Sequence, residues 1–261
     1  MTRARVVDAA KVAAWTLGLY VASEVARGLL ASNPNAAAIA PAVATEWVSG
    51  RLGVSWSDPL AKAPPAGVIA RRIGQGAAMG AAAALATLAL AMALAGARVK
   101  TGPISVTEIL FGAIVPVFVG MRHELLAHGL GLRIVGDVRP PVKVAALAAL
   151  SAGLALGGGG GPVEVAVTAA LGAATGLHCV RDRGAWRAVA AHASWLWITG
   201  TLLRGAVVEV TAPAGRFAGA DGSPFTGPLA VAVLAGGLAL LAWRVRPAPK
   251  AADAAEPARP S

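Results

Sequence analysis

The residues of this chain best equipped for chemistry gather in one apolar run, VGMRHELLAHGLGLR, positions 119–133. It sets His123, Glu124 and His128 among aliphatic neighbours, and ionisable groups at membrane depth are costly enough that they face a protein interior and mark function. Glu124 and His128 are four apart, so on a helix they share one face within reach of each other, while His123 points roughly 100° away. A second site follows in HCVRDRGAWRAVAAHASWLW, positions 178–197. There His192 sits in an apolar run and needs a polar partner, for which Glu124 is the natural candidate. A carboxylate with histidines inside a helical bundle permits a general base that activates water or a mononuclear metal site. The same groups also serve as a hydrogen-bonded pair that only orients helices.

HELLAH superficially resembles a zincin motif, which needs two histidines four apart on one helical face. His123 and His128 are five apart, an angle of roughly 140° on a straight helix, so one ion is not held by both. No metal and no cofactor is expected on this spacing. Cys179 has no base in an obvious motif and reads as packing, and a lone cysteine excludes an internal disulfide framework. Glu24 and Arg27, three apart, are expected to pair with each other.

The elements that must position these groups are membrane helices. Of 261 residues, 56% are hydrophobic and only 14% charged, against about 25% in a soluble domain, and mean hydropathy is +0.66. The expected fold is an all-α polytopic transmembrane bundle of about eight spans, near 10–30, 35–50, 74–97, 105–132, 142–157, 163–180, 187–204 and 227–244. The second window is short and carries Glu46, which suggests a tilted or re-entrant segment. The fourth is long, with a bend expected at Pro116 or Gly120. The basic N-terminus lacks a small-residue cleavage site and reads as a retained first helix.

All Lys and Arg residues except Arg27, Arg98, Lys100, Arg204 and Arg216 fall at one set of span ends. The positive-inside rule then places both termini in the cytoplasm and the chain in the inner membrane. With the basic residues so used, the net charge of +10 does not indicate nucleic acid. The lipid bilayer is the expected partner. Positions 51–73 form a polar connection, Gly157–Gly161 a flexible turn with none of the residues of a phosphate loop, and 205–226 an irregular outer loop. Residues 1–246 make the membrane domain, and 247–261, rich in Pro, Ala and charge, a disordered tail.

VPVFVGMRHELLAHGLGLR resembles the first motif region of the CAAX protease and bacteriocin-processing family, the glutamic intramembrane proteases, whose pattern there is Glu-Glu-x-x-x-Arg-Gly. His123, Glu124, His128 and Gly129 occupy that frame. GLHCVRDRGAWRAVAAHASWLW is similar to the family's later region, a basic turn with glycine and tryptophan before a helix bearing His-x-x-x-Asn; Arg183, Gly184, Trp186 and His192 fall in the corresponding places. The resemblance covers about residues 70–200. It implies an intramembrane endopeptidase that cleaves a membrane-associated protein or peptide near its C-terminus: a prenylated protein, a bacteriocin-type peptide, or a sorting signal of the myxosortase kind.

Several positions depart from the family pattern. The expected general base is His123, the arginine is His128, the asparagine is Leu196, and the middle Phe-x-x-x-His motif has no clear counterpart. Either Glu124 takes over as base, with His128 and His192 holding water and oxyanion, or His123 is the base. Two further readings stay open. One is a non-catalytic scaffold or chaperone with the protease fold; the other is a proton-coupled transporter using the same residues as a relay.

Overall fold

The computed structural model describes residues 3–52, 56, 64–136, 138–213, 217, 219 and 222–244. The tail at 247–261 and most of the connection at 53–63, including Asp58, lie outside the described residues. The described chain is helical apart from one short ribbon. In order run α1 (Arg3–Leu29), α2 (Pro34–Arg51), α3 (Ala66–Ala95), β1 (Arg98–Thr101), α4 (Val106–Phe111), α5 (Ile114–Glu124), a π-helical turn (Leu125–Leu130) and α6 (Gly131–Val135). Then come α7 (Pro140–Gly157), α8 (Pro162–Asp182), α9 (Trp186–Trp197), a second π-helical turn (Ile198–Leu202), β2 (Val208–Thr211) and α10 (Pro228–Arg244).

The helix starts are written locally. Proline opens α2, α7 and α8, where its missing N–H costs nothing and its fixed φ suits the first turn. Asn33 caps α2 by accepting from the Ala36 N–H at 3.1 Å, and Ser105 caps α4 through Glu108 at 3.2 Å. Gly96, in the left-handed region at φ +64°, ends α3.

Among the described residues, four helical stretches are long and apolar enough to cross a bilayer: Ala66–Ala95, Val106–Val135, Pro140–Gly157 and Pro162–Asp182. The chain is therefore a helical membrane protein. The second predicted window is one continuous helix that contains Pro41. The fourth stretch is not broken where expected, because Pro116 lies in the first turn of α5 and leaves its helical ladder intact. Its breaks fall at Gly112–Ala113 and at the π-helical turn. The loop expected at 205–226 also contains strand β2, which pairs antiparallel with β1 from Arg98↔Thr211 to Thr101↔Val208. Four residues separated from their partner by over a hundred give no local pattern strong enough to announce that pairing.

Glycines set how closely the site-bearing helices approach. Gly76 and Gly80, spaced as small-x-x-x-small, lie against α9, where a Cβ on Gly80 would come within 2.8 Å of the Trp195 nitrogen and collide with the Ala191 carbonyl. Gly120 of α5 faces Ala193 of α9, with a virtual Cβ at 3.1 Å from its nitrogen. Further along, Trp197 Nε1 donates to the Ile109 carbonyl at 3.1 Å and Thr201 Oγ1 to the Gly112 carbonyl at 3.2 Å, so α5 and α9 run antiparallel. Gly80→Val is expected to cost at least about 1–3 kcal/mol of stability, because backbone rather than a movable side chain occupies the space. Gly18→Val, with nothing within 4 Å of the added carbon, is the matched control for a melting measurement in detergent.

Candidate functional site

Glu124 closes α5 with no exposed surface, and histidines of two other segments reach its carboxylate. The first partner comes from its own chain direction. The π-helical turn begins at Leu125 and carries His128, whose Nδ1 makes a short hydrogen bond to Glu124 Oε2. Single π-helical turns inside α-helices recur at functional sites. His128 is also fully buried, and its Nε2 lies 3.0 Å from the Gly172 carbonyl oxygen of α8. Both of these oxygens are acceptors, so His128 is held at both ring nitrogens.

The second partner comes from α9. His192, 5% exposed, directs Nδ1 to Glu124 Oε1 at 2.7 Å. With that, both carboxylate oxygens hold imidazole nitrogens. His123 stands beside this pair rather than on it. Its ring meets the His192 ring edge-on, with centroids 4.7 Å apart and planes at 66°. Its Nε2 is buried and has no hydrogen-bond partner among the described residues. As the roughly 100° offset from Glu124 requires, it reaches the His192 side of the carboxylate and His128 the other.

All four predicted site residues, His123, Glu124, His128 and His192, therefore meet in one cluster, which holds three of the chain's four histidines. The fourth, His178, does not join it; its Nδ1 lies 3.5 Å from an Arg187 guanidinium nitrogen, beside the Arg187–Asp182 ion pair of 2.8 Å. Two participants escaped the sequence reading. One is the Gly172 carbonyl, a backbone group with no residue-type signature. The other is Cys179, 1% exposed, whose sulfur lies within 4.8 Å of donor atoms of Glu124 and His128 although nothing in its local sequence suggests it.

The spacing of Glu24 and Arg27 in α1 announces only one of the two contacts that Glu24 makes. Glu24 does pair with Arg27, at 2.6 Å, but its other oxygen accepts from Arg122 at 2.5 Å, the residue before His123. That bridge ties α1 to the end of α5. Trp195 is buried edge-on against Phe225, and Trp197 Nε1 donates to the Ile109 carbonyl.

Fold and cluster together define a helical membrane protein with a buried carboxylate held by histidines of the adjoining π-helical turn and of α9. No family model matches the chain, and no curated protein or solved structure matches it either.

Chemically, a carboxylate held at both oxygens by imidazoles is not free to take a proton from water on its own. It can instead orient His192 and stabilise charge on that ring, as a carboxylate does for a histidine base in hydrolases. Free coordination or hydrogen-bonding capacity in the cluster lies on the His123 side.

Proposed function

We propose that the protein is a membrane-embedded hydrolase of the glutamic intramembrane protease type, cleaving a membrane-associated protein or peptide near its C-terminus. The observation that carries this reading is the convergence of Glu124 and His192, from regions far apart in sequence, with the unpartnered nitrogen of His123 alongside. The order of the two motif regions supports a peptide bond as substrate. In this mechanism the Glu124–His192 pair accepts a proton from a positioned water, and that water attacks the scissile carbonyl. His123 donates to the developing oxyanion, and the surrounding apolar helices keep bulk water from competing. Of the two assignments open from sequence, Glu124 as sole base is disfavoured because both its oxygens are engaged.

The accompanying topology is eight crossings of the inner membrane with both termini in the cytoplasm, which puts the His123 end of α5 and the α8–α9 turn on the cytoplasmic side. One other reading has its own support. The complete burial of Glu124 and His128 suits a non-catalytic scaffold in which the cluster only locks helices together.

The deciding experiment is a C-terminal processing assay on co-expressed candidate substrates. Wild-type protein is expected to shorten one of them, and His192→Ala to slow that cleavage by about 10²–10⁴-fold, the range of a lost general base. Equal processing by His192→Ala removes the assignment. Absence of processing by wild type across prenylated, bacteriocin-type and sorting-signal substrates favours the scaffold.

A further inference from the structure

We infer that His123, Glu124 and His192 form a binding site for a first-row divalent metal ion, with zinc the best match to the donors. Each residue offers one ligand atom, and those atoms lie within 4.8 Å of one another. Two imidazoles and one carboxylate are the donor set of a zinc centre that keeps its fourth position open for water. Ligand bonds of roughly 2.0–2.2 Å at tetrahedral angles place two donors of one ion about 3.3–3.6 Å apart, so a pair at the 4.8 Å limit needs to close by about 1.2–1.5 Å.

Two further features of the cluster fit an ion better than they fit a closed hydrogen-bond network. The His123 Nε2 is buried with no partner, and a buried polar atom left unpaired carries a desolvation cost that a ligand bond removes. Glu124 is held from behind, by His128 at Oε2, and His128 is held in turn by the Gly172 carbonyl. Such outer contacts fix a ligating carboxylate in place and leave its other oxygen facing the ion.

The five-residue spacing of His123 and His128 does exclude an ion shared by those two, since they sit on opposite sides of Glu124. The third ligand is His192, from another helix, which no local motif can announce. The Cys179 thiol belongs to the His128 side and takes no part. Binding itself does not depend on the hydrolase reading; under that reading, Glu124, His192 and His123 would act as ligands instead of as base and oxyanion donor, and the ion would supply the activated water.

The test uses the full chain purified in detergent and stripped of metal, then exposed to equimolar zinc, desalted and measured for metal content. Cobalt is added in parallel and followed by its visible absorption. About one zinc per chain is expected in wild type. His123→Ala, which breaks no protein hydrogen bond, and His192→Ala are each expected to lose it, with helical content checked by circular dichroism. No retained zinc in wild type, or full retention in folded His123→Ala, overturns the site. The same samples enter the processing assay. Cleavage by zinc-free protein at the zinc-loaded rate overturns the ion's part in catalysis and leaves the hydrolase standing, whereas stoichiometric zinc with no cleavage supports the site and removes the hydrolase.

Discussion

Glu124→Ala is expected to be among the most destabilising single substitutions in the membrane domain, with a loss of about 3–5 kcal/mol, the cost of stripping one partner from a buried charge pair. The carboxylate has no exposed surface and takes hydrogen bonds from two histidines on different segments. Its removal leaves two ring nitrogens without acceptors inside the helical bundle. It also leaves a cavity at the junction of α5, α8 and α9, and that adds to the loss. At about 2–4 °C per kcal/mol for a chain of this size, the melting midpoint in detergent falls by roughly 10 °C. Glu124→Gln keeps the shape but turns one acceptor into a donor that faces a histidine N–H. Its cost is expected to be smaller, about 1–3 kcal/mol. The order wild type, Gln, Ala in melting temperature is the signature; an alanine variant that melts with wild type would show that the carboxylate does not hold the helices together.

That prediction draws on a site whose members were readable from residue type, although its wiring was not. An apolar chain with few ionisable groups makes each buried one conspicuous, so His123, Glu124, His128 and His192 stood out from Leu, Ala and Val without any structure. The four-residue spacing of Glu124 and His128 also gave their contact directly, because it depends only on helical geometry. What stayed hidden depends on long-range packing. Nothing local says that Gly76 and Gly80 bring α3 onto α9, or that Gly120 brings α5 within reach of His192. Nor can residue types reveal the Gly172 carbonyl or Arg122's choice of Glu24 on a helix almost a hundred residues away. The π-helical turn is equally silent in the sequence, since LLAHGL is compatible with an ordinary α-helix. Helix existence was legible from hydropathy, whereas the β1–β2 ribbon was not, because each four-residue strand has meaning only beside its partner.

The residue that separates a working site from a structural keystone is His123. Glu124, His128 and His192 hold one another through hydrogen bonds, so changing any of them disturbs folding and chemistry together. His123 takes no part in that network: it touches His192 through its ring edge, and its Nε2 has no protein partner. His123→Ala therefore forfeits packing but leaves every hydrogen bond of the cluster in place. Its stability cost is expected to stay near about 1 kcal/mol, the centre of the range for single substitutions. If the cluster hydrolyses its substrate, the same change removes an oxyanion donor, and the processing rate is expected to fall by about 10²–10³-fold. His123→Gln, which restores a polar group near that position, is expected to recover part of the rate while melting close to wild type. A scaffold predicts the opposite pairing, with partner binding and melting temperature both unchanged in His123→Ala and lost in Glu124→Ala. Measuring melting and processing on the two variants side by side thus decides between the readings, because only a reacting site makes His123 matter more to rate than to stability.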